Sequence, residues 1–241
     1  MFTLKRLLLL YALAMTTLLS QAQTAYPTVT FYSKTDKTDV SLSPGEEKTD
    51  PAPLDITCSA NVDLQGTGYT NYTCEWRIYN SDQGIQSAFL TRYDEEITYT
   101  LTNAGGYGIK LFITFVNSTN DSIEYECEPF KVVISESKLV CPDGFSPNDD
   151  DINDKYLIEY ESIVELEGQI FNRWGKKLYT LTLENVDAGW DGKINGKPVR
   201  DGIYLLNLHA RGSEGIEYKI KKVINVLKGK KDTADSVAPE S

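Results

Sequence analysis

The chain has 241 residues, 41% of them hydrophobic, with 24 basic residues against 35 acidic ones and a single histidine. A formal charge of −11 argues against nucleic acid as a partner. One histidine leaves little material for a Ser-His-Asp or Cys-His site, and no Gly-x-Ser-x-Gly elbow, phosphate loop or zinc spacing accompanies it.

At the N-terminus, Lys5-Arg6 precede the apolar run Leu7 to Met15, and Ser20-Gln21-Ala22 sets small residues where a signal peptidase reads. Residues 1–22 are expected to be a secretory signal peptide. The run to Leu19 contains Thr16 and Thr17 and falls short of the ~20 apolar residues that span a bilayer, so a retained anchor is the lesser alternative. No later segment reads as a transmembrane helix, and the mature chain is expected in the periplasm, on the cell surface or outside the cell. Loss of Lys5 and Arg6 leaves 22 basic against 35 acidic residues, a formal −13 that suits solubility and repulsion from anionic membranes.

Residues 23–50 are polar and end in Ser43-Pro44-Gly45 and Asp50-Pro51-Ala52-Pro53, which reads as a loose leader with one strand at Thr28 to Tyr32. Period-two segments follow at Leu54 to Val62, Tyr72 to Tyr79, Ala88 to Arg92, Ile97 to Thr102, Tyr107 to Asn117 and Ile123 to Ser135, with turn residues between them. This is the scale of an immunoglobulin-like sandwich over residues 51–136. Further on, Ile203 to Arg211 and Ile216 to Leu227 form a hairpin about Gly212-Ser213-Glu214-Gly215, and residues 228–241, ending Ala-Pro-Glu-Ser, read as a disordered tail. The fold class is therefore all-β.

Cys58, Cys74, Cys127 and Cys141 all follow the signal, and an even count in an exported chain favours disulfides. Three connectivities are open. Alternation places Cys58, Cys74 and Cys127 on core-facing sides, and the pairs Cys58 with Cys74 and Cys127 with Cys141 are preferred over the alternative of buried free thiols.

Cys74-Glu75-Trp76 and Gly105-Gly106-Tyr107-Gly108-Ile109-Lys110-Leu111 resemble the third strand and the Gly-x-Tyr-x-Val-x-Leu strand of PKD-like immunoglobulin domains. The second half carries four ordered motifs. Pro142-Asp143-Gly144-Phe145-Ser146-Pro147-Asn148-Asp149-Asp150-Asp151-Ile152-Asn153-Asp154 comes first, followed by Ile170-Phe171-Asn172-Arg173-Trp174-Gly175 with Leu178-Tyr179. Gly189-Trp190-Asp191-Gly192 and Pro198-Val199-Arg200-Asp201-Gly202-Ile203-Tyr204 complete the series. Together they resemble the type B sorting domain of the type IX secretion system, the gliding-motility-associated C-terminal domain, over residues 137–227. The family's Asn-Gly-Asp-Gly is replaced here by Asn148-Asp149-Asp150-Asp151, so two glycines have become aspartates.

The resemblance implies two immunoglobulin-like β-sandwich domains in tandem after a signal peptide. It also implies type IX machinery and an outer-membrane partner, and export to the cell surface or the medium. The first domain then reads as non-catalytic cargo for adhesion or for binding a glycan or protein; the alternative is an accessory of the secretion or motility apparatus. No enzyme activity and no cofactor are expected, with one exception: Asn148, Asp149, Asp151 and Asp154 offer oxygen ligands that suit calcium, although the spacing is not that of an EF-hand. Otherwise this loop reads as a solvated acidic turn. Trp190-Asp191-Gly192 and Asp201-Gly202 read as turns, while Phe171, Trp174, Tyr179, Trp190 and Tyr204 are expected mostly to fill the core or brace its corners. His209 shares a strand face with Leu205, Asn207 and Arg211 and reads as solvent-facing. Asp121-Ser122-Ile123, Asp232-Thr233-Ala234 and Asp235-Ser236-Val237 resemble bacterial O-glycosylation acceptors.

Overall fold

A computed structural model describes residues 25–228, so the expected signal peptide and nearly all of the expected tail lie outside the described residues. Ten strands build a first sandwich: β1 (Thr28–Ser33), β2 (Thr38–Leu42), β3 (Glu47–Asp50), β4 (Leu54–Ser59), β5 (Tyr69–Asn80), β6 (Leu90–Arg92), β7 (Glu96–Leu101), β8 (Gly105–Asn117), β9 (Ser122–Glu126) and β10 (Phe130–Ile134). One sheet has the order β2-β1-β4-β7 and the other β3-β10-β8-β5-β6, with β9 also pairing β8. Alternation decides which side chains meet between them. Leu54, Ile56 and Cys58 face inward from β4, as do Tyr107, Ile109, Leu111, Ile113 and Phe115 from β8, all buried. Trp76 lies at the centre with its ring 6.4 Å from Phe130. Its indole Nε1 finds no acceptor among the described residues, which costs about 1–3 kcal/mol against the area the ring buries.

Three expectations are corrected in this half. Within the stretch 23–50 the described residues are not a loose leader, because β1, β2 and β3 are integral strands and Ala25 is already fully buried. Its anchor is a buried carboxylate that hydropathy does not count: Asp50 accepts from the Lys34 backbone N–H at 2.9 Å and from the Ser33 hydroxyl. The predicted strand Ile123 to Ser135 divides into β9 and β10 at Cys127-Glu128-Pro129, where proline has no N–H to continue a ladder. β9 pairs one end of β8 and β10 the other.

The cysteines are the third correction, since all four are buried free thiols. Cys58 on β4 and Cys74 on β5 face the one core from its two sheets with their sulfurs unbonded. Cys127 lies in the first core and Cys141 in the second, so that pair would have to bridge two separate cores.

The second sandwich comprises β11 (Lys138–Val140), β12 (Gly144–Phe145), β13 (Glu159–Glu161), β14 (Ile163–Phe171), β15 (Lys177–Thr182), β16 (Lys193–Ile194), β17 (Lys197–Pro198), β18 (Gly202–Gly212) and β19 (Glu217–Val226). Its main sheet has the order β12-β19-β18-β14-β15, with β12 parallel to β19. The small β11-β13 pair and loop residues such as Tyr156, Val186, Trp190 and Val199 close the core from one side, leaving the other face of the sheet to solvent.

The two sandwiches meet along a polar seam. Ser162, buried and with φ of 48°, accepts from the Ala52 N–H at 3.1 Å through its hydroxyl and from the Ser213 N–H at 2.9 Å through its carbonyl. The Ser213 carbonyl in turn accepts from the Ala104 N–H at 3.1 Å, and its hydroxyl donates to the Ser135 carbonyl at 3.1 Å. Every group just named finds a partner, so a buried polar seam fixes geometry without leaving an uncompensated cost.

Candidate functional site

The motif residues of the second half divide into a buried set and an exposed set. Trp190 is fully buried, with the rings of Phe145, Tyr204 and Tyr179 at 5.5, 5.7 and 6.2 Å, and Phe145 also meets Tyr156 at 5.9 Å. Each polar tip in this cluster donates to a loop carbonyl: Trp190 Nε1 to Lys193, Tyr204 to Arg200, Tyr179 to Gly189 and Tyr156 to Pro142, at 2.7 to 3.2 Å. The rings thus supply apolar area, and their tips tie down the loops that cover it. Asp191 accepts from the Lys193 N–H at 2.9 Å, and Gly192 takes φ of 69° with Pro147 and Phe145 packed against it. Asp201 accepts from the Lys228 N–H at 3.4 Å as the chain leaves β19. These residues are scaffold.

The acidic loop is organised from within. Asp154 accepts from the N–H groups of Asn148 and Asp149 at 2.8 Å through one oxygen and from that of Asp151 at 2.7 Å through the other. Ser146 closes the base by donating its N–H to the Asn153 carbonyl at 2.8 Å. Burial would raise the Asp154 pKa, but the backbone donors of Asp149, Asn148, Asp151 and Asp150 outweigh it and hold the carboxyl below its usual range. Asp149 and Asp151 have φ of 62° and 65°, so the two aspartates that stand at glycine positions keep the left-handed bend. Among the described residues, no group of three or more His, Cys, Asp or Glu side chains is arranged to hold a metal. Of the four calcium candidates, Asp154 is the loop's capping group, Asn148 is bonded to Asp150, and Asp149 and Asp151 are exposed.

The exposed set is the turn after β14. The Asn172 side-chain oxygen accepts from the N–H groups of Trp174 and Lys176, both at 3.0 Å, and Gly175 at φ of 78° completes the bend. Trp174 is thereby thrust outward at 76% exposure, with the Arg173 guanidinium 4.6 Å from its ring centre. Among the five rings expected mostly to fill the core or brace its corners, Trp174 is the one left exposed: the turn needs only Asn172 and Gly175, and Trp190 occupies the core. Sequence reasoning also missed an apolar row at this end of the sheet. Phe171, Leu205 and Val223 are direct cross-strand partners on β14, β18 and β19 and form an apolar row on the open face of the sheet. The signal was present in the alternation, because outward positions of β18 read Ile203, Leu205, Asn207, His209 and Arg211.

His209 lies on that same open face, 2.6 Å from Glu217. Burial pushes the Cys58 thiol up to about 12 and the Cys74 thiol up to about 11, which keeps both in the inert protonated form near neutrality.

Residues 139–226 match the CHU_C Type IX secretion signal domain. No curated protein matches the chain. Similar solved structures include the fibronectin(III)-like modules of Clostridium thermocellum CbhA, at 16% identity over 82% of this chain and 93% of that one, TM-score 0.24. Others are dimeric latent PorU from Porphyromonas gingivalis, at 13% identity over 86% of this chain but 21% of that one, TM-score 0.25, and the FN1–FN3 domains of chicken CNTN1, at 9% identity over 78% and 71%, TM-score 0.24. Scores this low carry no function across.

Proposed function

We propose, from the type IX secretion signal domain formed by residues 139–226, that this chain is a non-catalytic cargo of the type IX system that displays its first sandwich as a binding or adhesion module at the cell surface. The match to the signal domain carries the reading. Two features of the chain support it. The motif residues build a self-contained aromatic scaffold with satisfied loops, as an address that must survive passage intact requires. The sequence's one histidine lies in the second sandwich and the thiols of Cys58, Cys74 and Cys127 are buried in the first, which supports surface contact as the role of the first sandwich. An outer-membrane partner would receive the second sandwich, and a glycan or protein ligand would engage the first.

A fusion test separates the two halves of this proposal. Residues 137–241 are placed behind a signal peptide and a small folded reporter in a host with an active type IX system. The reporter is expected to become accessible to protease added to intact cells, and to stay protected when the secretion system is disabled. A reporter that remains in the periplasm of the competent host would contradict the sorting role.

A further inference from the structure

The open face of the second main sheet is two surfaces in one. Toward the seam it is polar and paired: Arg211 contacts Glu165, and His209 contacts Glu217. Toward the opposite end it turns apolar, through the row Phe171, Leu205 and Val223, with Ile203 and Leu227 alongside. Ile203 and Leu227 are 59% and 63% exposed, and Trp174 stands at the edge of the same corner. A sheet face that only needed solubility would continue the polar pattern.

Cations outnumber the one carboxylate at this apolar corner, that of Asp201, which is engaged by the Lys228 N–H. Arg173 and Lys176 flank Trp174, Lys177 pairs in register with Phe171, Lys221 precedes Val223 on the same face, and Arg200 leads into β18. Among the described residues none of these five takes part in a salt bridge. Protein interfaces are depleted in lysine, whereas a bared Trp and aliphatic side chains ringed by Lys and Arg are what the polar boundary of a bilayer selects. The charge of the whole chain conceals this corner. Residues 25–136 carry 17 acidic and 7 basic side chains, but residues 137–228 carry 15 and 13. The corner lies at the end of β14 remote from the seam, about 25 Å along the strand, so the acidic first sandwich is held away from whatever the corner touches.

We propose that this corner is a peripheral docking surface for an anionic membrane, with Trp174 and its aliphatic neighbours entering the headgroup layer and the cations meeting lipid phosphates. The test uses the full mature chain and vesicles of phosphatidylcholine alone or mixed equally with phosphatidylglycerol. Trp76 and Trp190 are fully buried, so a blue shift in tryptophan fluorescence on binding reports Trp174.

The expected result is sedimentation with the anionic vesicles only, a blue shift, and weakening between 0.1 and 1 M salt as the screening length falls from about 10 to about 3 Å. Trp174→Ala should abolish the shift, and Arg173→Glu should weaken binding by about fivefold or more. His209→Gln, on the polar half of the same face, should leave binding unchanged. No association with either vesicle would overturn the proposal, as would binding that survives Trp174→Ala undiminished. Binding to outer-membrane fragments that is lost on their proteolysis, with pure lipid inert, would show a protein occupant instead and equally overturn it. None of these outcomes bears on whether the domain directs export.

Discussion

Asp149 and Asp151 hold left-handed backbone where a glycine would do so freely, and the penalty for an L-residue there is about 1–2 kcal/mol, offset in part by the greater chain entropy of glycine. Asp149→Gly and Asp151→Gly are each expected to raise the stability of the full chain, by up to about 1 kcal/mol, in urea unfolding followed by fluorescence. Asp154→Ala should do the reverse, removing the acceptor of three N–H groups and exposing the amides of residues 148–151 to hydrogen exchange, while a chelator leaves the melting temperature of the native chain unmoved. The buried thiols carry a pH signature. Cys58 and Cys74 are raised from an ordinary 9.0 to about 12 and about 11, so the stability they lend is complete below pH 9 and is lost as pH climbs toward their folded values. Melting temperature should therefore fall above pH 9, less steeply in Cys58→Ala, and at pH 8 iodoacetamide should label the thiols only after denaturant is added. A native chain that labels readily at pH 8 would contradict the burial. Core-facing positions of three of the cysteines were legible from alternation, but whether they pair was not, because that depends on the separation and direction of their Cβ atoms once the sheets are packed.

At the scale of elements, the strands with apolar alternation were legible, as Leu54 to Val62 and Tyr107 to Asn117 illustrate. β1 was legible in part, whereas β2 and β3 were not, since their inward residues are few and one of them is the carboxylate of Asp50. The seam escaped sequence reading for a similar reason: Ser162 and Ser213 look like surface residues until the Ala52 and Ala104 N–H groups of the first sandwich reach them, and Ser135 until the Ser213 hydroxyl donates to its carbonyl. Ser162→Ala removes the hydroxyl that receives the Ala52 N–H and should cost about 1–3 kcal/mol in the unfolding of the full chain. An unchanged midpoint would mean that the seam bears no load.

For the whole molecule, the second half was recognisable because its motifs are spaced turns and rings whose roles are local: Trp190, Asp191 and Gly192 close one corner through bonds within residues 190–193. The outward turn of Trp174 was hidden because the motif specifies the bend and not the direction in which its side chain leaves. Net charge misled in the same way, since a chain of formal −11 can keep a cationic corner when its acidity is concentrated in the other domain. The central claim is that residues 137–227 act as an export address for the first sandwich. The most direct test compares, in the native host, the full chain with one ended before Ser137, followed by antibody through periplasm, outer membrane, intact-cell surface and medium. The account predicts that the full chain reaches the surface or medium and the shortened chain accumulates in the periplasm as a folded sandwich. Arrival of both at the surface would contradict it.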